Sequence, residues 1–280
     1  MIKLTTPFIL IIAFIISTPV HAQGGHGPVF TLATPTLGQG ELSFDAMAMS
    51  TKHDKQAWML RQNWHYGVTE DIQLNLSIPT SLRKIAAPPH GRLGTMMGSY
   101  GDLELSALFR FFKTYPGVGK RFESTVLLGG SIPTDTKRGG IKVGPSVNAA
   151  LVTGYASRSF YFWLGGGYQY YDKRGSDQLG DIKYITGVIG YRPPTFQHDY
   201  PKPDWRVFLE SVTEWVGSSQ LNGNSLSGSD GMKTLIGPSV LGLFGKWGVS
   251  TGIMFPLYND FNNGANREDY RLSVVVSYWF

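Results

Sequence analysis

The chain has 280 residues, a formal charge of +5, no cysteine, 35 glycines and 13% aromatic residues. The missing cysteines exclude a disulfide framework, a thiolate metal site and a thiol nucleophile. The basic residues form no run of five, which argues against a nucleic-acid partner.

Residues 1–22 have the layout of a cleavable secretory signal. Lys3 is followed by an apolar run from Phe8 to Ile16, a break at Ser17-Thr18-Pro19, and a small-residue site at Val20-His21-Ala22. That run is too short to span a bilayer as a helix, and no later segment approaches the ~20 apolar residues a spanning helix needs. If this protein enters a membrane, it does so with strands. Residues 23–39 are rich in glycine, include Pro28 and Pro35, and carry no sustained period. They are expected to form a flexible lead-in hanging free at the periplasmic mouth, the alternative being a small plug folded back into the interior.

From residue 40 onward, period-two alternation recurs and predicts twelve strands. They run over Glu41–Met49, Ala57–Tyr66, Ile72–Pro79, Asp102–Phe112, Arg121–Pro133, Gly144–Tyr155, Ser159–Tyr171, Asp181–Arg192, Asp204–Val216, Met232–Phe244, Trp247–Leu257 and Tyr270–Phe280. Links after the second, fourth, sixth and tenth strands are short. Those after the odd strands from the third onward are longer and more polar. The Pro193–Pro203 link is the exception, and the loop after the first strand is short. Short turns on one side and long loops on the other mark an up-and-down antiparallel transmembrane β-barrel over residues 40–280, both ends periplasmic. A soluble sandwich would need Greek-key crossovers and has no reason for that asymmetry.

Taking the apolar phase as lipid-facing assigns the opposite phase to a lumen. That phase carries Arg61, His65, Asp102, Glu104, Arg110, Arg121, Glu123, Arg206, Glu210, Glu214 and Arg271, with Asp45, Lys183 and Lys233. An Arg or Lys facing mid-membrane costs about 2–4 kcal/mol, so a lumen is where such residues sit at least cost. These are the candidate lumen-lining and solute-binding residues. Trp58, Trp64, Tyr66, Tyr168, Tyr170, Trp205, Trp215, Tyr270 and Phe280 fall on the apolar phase near strand ends and suit interfacial girdles. A twelve-stranded barrel lies between side-chain-filled eight-stranded barrels and open sixteen-stranded ones. A narrow pore constricted by Trp163, Phe208 or a folded loop is expected.

Catalytic signals are poor. Gly248-Val249-Ser250-Thr251-Gly252 matches a nucleophile-elbow pattern but lies inside a predicted strand. An outer-membrane lipid hydrolase would need Ser and His on neighbouring strands. Ser211 and Ser273 are present, yet no histidine lies on strands eight to twelve. His26, His53, His65, His90 and His198 show no metal-ligand spacing. No enzyme activity, metal or other cofactor is expected. A barrel serving adhesion or assembly without transport is the remaining rival.

Two resemblances add to this reading. The last strand, ending in Phe280, resembles the closing strand of bacterial outer-membrane barrels, which implies recognition by the barrel-assembly machinery. The segments HGPVFTLATPTLGQGELSFD, YGVTEDIQLNLSIP, GDLELSALFRFF and GIMFPLY are similar to the outer-membrane transporter family named for the meta-pathway of phenol degradation. That resemblance implies passive uptake of small solutes, hydrophobic or aromatic ones among them. Outer-membrane lipid and lipopolysaccharide are then the surrounding partners.

Overall fold

The computed structural model describes residues 27–52, 56–80, 102–198, 202–261 and 267–280. The expected signal, His26, His53, His90 and nearly all of the Thr80–Gly101 loop lie outside them.

Twelve strands form the wall: β1 (Leu42–Lys52), β2 (Gln56–Gly67), β3 (Ile72–Pro79), β4 (Asp102–Gly117), β5 (Lys120–Pro133) and β6 (Ser146–Ala156). They continue as β7 (Phe160–Tyr171), β8 (Ile182–Tyr191), β9 (Asp204–Val216), β10 (Gly231–Phe244), β11 (Trp247–Phe261) and β12 (Tyr270–Trp279). Each pairs antiparallel with its chain neighbours, and β1 closes on β12 from Ser43↔Trp279 to Lys52↔Tyr270. The sheet therefore has no free edge. Every wall strand finds its backbone partners within the wall, which is the condition for spanning hydrocarbon with strands.

Connections alternate as the sequence predicts. One end of the barrel, the terminal end, carries Leu42, Phe280 and the turns near residues 68–71, 118–119, 157–159 and 245–246. The opposite loop end carries the longer connections, two of which contain small hairpins at Lys137–Arg138/Ile141–Lys142 and Gln220–Leu221/Asn224–Ser225. The proline-rich link between β8 and β9 holds a 3-10 turn, Pro194–Phe196. Two boundaries differ most from expectation. The β4–β5 ribbon runs on to a two-residue turn at 118–119, through Thr114-Tyr115-Pro116, and β11 extends to Phe261. Both extensions keep a neighbouring strand to pair with, which a sequence pattern does not reveal.

The two faces differ as period two requires. Outward-facing Leu105, Ile132 and Leu151 are 61%, 64% and 50% exposed, within a continuous band of exposed Leu, Ile, Val and Phe. Such a band would make a large sticky patch in water, whereas it matches a hydrocarbon surround. Trp58, Tyr168, Tyr170 and Trp215 ring the loop end, and Tyr66, Trp247 and Phe280 the terminal end. Trp64 stacks on Phe280 at 6.3 Å, tying the second strand to the last residue.

Two expectations fail. Lys183 faces outward, because the inward phase of β8 is Ile182, Tyr184, Thr186 and Val188. Ile185 and Ile189 make the other face equally apolar, so hydropathy left the phase ambiguous. The free lead-in is the second correction: residues 29–37 lie buried inside the barrel.

Candidate functional site

The lumen is crossed by the chain's own segment from Val29 to Leu37, with no regular secondary structure. It begins at mid-height against β9. The Glu210 carboxylate accepts the backbone N–H of Val29 at 2.8 Å on one oxygen. Its other oxygen accepts the N–H of Phe30 at 2.7 Å and the Thr31 hydroxyl at 2.9 Å. Ser239 on β10 also donates to Glu210. The segment then passes β8, where Leu32 N–H donates to the Thr186 hydroxyl at 3.4 Å. At β5 the Thr125 hydroxyl donates to the Thr34 carbonyl (2.8 Å), and the Thr34 hydroxyl donates to Glu123 (3.1 Å). Trp163 Nε1 donates to the same Thr34 oxygen at 2.9 Å. Leu37 N–H reaches Gln73 Oε1 on β3 (2.8 Å), and the chain leaves at the terminal end toward β1.

A segment with no ladder of its own needs partners for its buried amides. Inward polar residues of β3, β8 and β9 accept the N–H groups of Val29, Phe30, Leu32 and Leu37, and Thr125 of β5 donates to the Thr34 carbonyl. Its side chains fill the remaining volume: Phe30, Leu32 and Leu37 are among the most completely buried in the chain. Leu32 packs with Leu108, Leu127, Val152, Trp163, Val188 and Phe208, an apolar belt at mid-lumen. Trp163 and Phe208, the expected constriction, thus act with the N-terminal segment rather than with a loop. A cavity of about 50 Å³ remains beside the segment, lined by Pro28, Val29, Ser43, Asp45, His65 and Ser250 among others.

All eleven candidate lumen residues sit on the inward phase, gathered by strand register into separate groups rather than one site. At the terminal end Arg110 donates to Glu123 (2.8 Å), to Asp71 and to the Glu70 carbonyl, with Arg121 3.3 Å from Glu123. Asp71, in the β2–β3 turn, is held below the usual carboxylate range, first by its hydrogen bond from Arg110. His65 bridges Asp45 (3.1 Å) and Asn75 (2.8 Å). Arg206, beside Asp204, lies over the Tyr161 ring at 5.4 Å.

Toward the loop end, Arg61 donates to Ser77 (2.7 Å) and to the Asp102 carbonyl, while Arg138 pairs with the Asp102 carboxylate. Glu104 accepts from Asn148 at 3.2 Å. Glu214, Lys233, Arg271 and Glu268 form a fully buried set of two acids and two bases, with separations of 2.7–3.5 Å. Pairing at this level of burial is what makes the charges tolerable. Glu210 is the exception in kind: its partners are backbone amides of the crossing segment and two hydroxyls.

Ser250 faces the lumen from within β11, in the wall and not on a turn. Sequence reasoning put the lumenal path of residues 29–37 second, as the plug alternative to a free tail, and gave none of its partners. The only signal was an apolar-and-threonine composition, Val-Phe-Thr-Leu-Ala-Thr, unusual for a free polar tail.

No family model matches the chain, and no curated protein matches it. Among solved structures, it is similar to an outer membrane channel from Pseudomonas putida F1, with 13% identity and a TM-score of 0.60. That match covers 88% of this chain and 97% of that one. The NanC porin matches with 10% identity and a TM-score of 0.49, over 85% and 98% of the two chains. LpxR from Salmonella typhimurium matches with 8% identity and a TM-score of 0.41, over 85% and 100%. At these identities the likeness is one of fold.

Proposed function

We propose that the protein is an outer-membrane channel for passive uptake of small solutes, exported by a cleavable signal, with the N-terminal segment setting its aperture. The observation that carries this reading is how the interior is filled. Eight strands suffice for a barrel stoppered by its own wall side chains. This barrel has twelve, and the extra cross-section is taken by one strap held mainly by hydrogen bonds and apolar contact. A strap held that way leaves when those contacts break, whereas a β-strand of the wall does not.

Solute character follows from the wall. Charged groups at both ends are paired with one another, so they offer water and polarity without a single dominant sign. The belt of Leu108, Leu127, Val152, Trp163 and Phe208 at mid-height favours a solute with an apolar or aromatic part. The resemblance to the transporter family named for phenol meta-cleavage points the same way. Under this reading the terminal end is periplasmic and the closing strand ending in Phe280 is what the assembly machinery reads. Liposome swelling with aromatic acids, sugars and nucleosides of graded size tests it. Faster entry of small aromatic acids than of equally small sugars is expected; no swelling with any solute would defeat the proposal.

A further inference from the structure

We propose that a recess at the loop end, between the 137–142 hairpin and the loop after β7, is a binding site for a phosphate group. In that hairpin Lys137 stands directly opposite Lys142. Like charges placed opposite each other across a strand pair repel. The Asp177 carboxylate attracts both ammonium groups and offsets part of that repulsion, and an anion held between them would offset more of it. Arg174 supplies the third side. Its Nη1 donates to the Val143 carbonyl at 3.3 Å, which ties the second loop to the first, and its backbone N–H donates to Asp177 O at 2.9 Å within the second loop. Lys137, Lys142 and Arg174 are exposed, and among the described residues none has a carboxylate within ion-pairing distance. Neighbouring Arg138 differs: it is taken by Asp102.

The three cations surround a recess of about 340 Å³, completed by Thr136 and Gly175. Gly175 has φ 70°, a turn that favours glycine and brings bare backbone to the rim. Asp177 organises the cluster from behind. Its two oxygens accept the Lys142 N–H at 3.0 Å and the Asn222 N–H at 2.7 Å, so the carboxylate is engaged with backbone and holds three loop segments together. Two ammonium groups and one planar guanidinium facing a common space suit a multiply charged tetrahedral oxyanion better than a single carboxylate. A phosphate could belong to the lipopolysaccharide of the outer leaflet or to a soluble solute meeting the mouth, and the chemistry of recognition is the same. The inference does not depend on whether the barrel conducts.

The test compares wild type with K137Q/K142Q/R174Q in two arms. In detergent, inorganic phosphate is titrated and followed by 31P line broadening. In nanodiscs, the thermal midpoint is measured with lipopolysaccharide and with the same lipopolysaccharide after phosphatase treatment. Saturable phosphate binding that weakens at least tenfold in the variant supports the site with a free anion as occupant. A higher midpoint with phosphorylated lipid alone, lost in the variant, supports it with the lipid as occupant. Identical behaviour of wild type and variant in both arms, including no response from either, overturns the proposal. Should the triple variant lose folded-barrel mobility on unheated gels, K142Q and R174Q singly replace it, each expected to weaken the response several-fold.

Discussion

Replacing Glu210 with Gln probes the anchor of the crossing segment while preserving its shape. In the native protein one carboxylate oxygen takes the Val29 N–H, and the other takes the Phe30 N–H and the Thr31 hydroxyl, at 2.7–2.9 Å. Gln keeps one acceptor oxygen and turns the other position into an NH2 group aimed at donors. At least one charge-assisted bond is lost, a contribution of about 1.5–3 kcal/mol, and a buried N–H is left unmade at a further ~1–3 kcal/mol. Taking about 3 kcal/mol in total, the docked-to-undocked ratio of residues 29–37 falls roughly 100-fold. The wall should be untouched, since the β9 ladder is made by backbone. Hydrogen exchange in detergent reads this directly. The amides of Val29, Phe30, Leu32 and Leu37 are expected to exchange roughly 100-fold faster, while amides of β5–β9 hold their protection. Unchanged exchange at residues 29–37 in a folded variant would refute the anchoring role of Glu210.

Other perturbations test other parts of the structure. Gly67→Ala should loosen the same segment from its other end, because an added Cβ would strike the Gly38 carbonyl, and pronase should then cleave before residue 40 faster than in wild type. Arg110→Ala leaves Glu123 buried with the half-exposed Arg121 and the Thr34 hydroxyl beside it, and a loss of about 3–5 kcal/mol in urea unfolding is expected. Asp71 supplies a pH test: its folded-state pKa is depressed by Arg110, so its stabilisation is full above about pH 4, the unfolded carboxylate value, and disappears as pH falls through the lower folded value. Wild type and Asp71→Asn should therefore differ in stability at pH 7 and converge in acid. Leu151→Arg, at the middle of β6 on the outer face, should destabilise the barrel by about 2–4 kcal/mol in lipid.

The wall was legible in the sequence because hydrocarbon tolerates few errors. Along β3, Ile72, Leu74 and Leu76 alternate with Gln73, Asn75 and Ser77, and the register is forced. Where both phases are apolar, as along Ile182 to Tyr191, that constraint weakens and Lys183 was assigned to the wrong side. The charged groups were legible as lumenal but not as groups. Arg271 meets Glu214 across a separation of 57 positions along the chain, and composition carries no trace of that register. The lumenal strap was least legible. Its partners Gln73, Thr125, Thr186 and Glu210 lie 36 to 181 positions away along the chain, and no periodic pattern encodes such contacts. Prolines and glycines around it read as a loose tail, while burial of Phe30 and Leu32 is what holds it in place.

Single-channel conductance in planar bilayers, recorded for the full-length protein and for a variant lacking residues 27–37, bears most directly on the assignment of that strap as the element limiting passage. Small unitary steps for the full-length protein and clearly larger ones for the shortened variant are expected. Equal steps, or silence from both at every voltage, would contradict it.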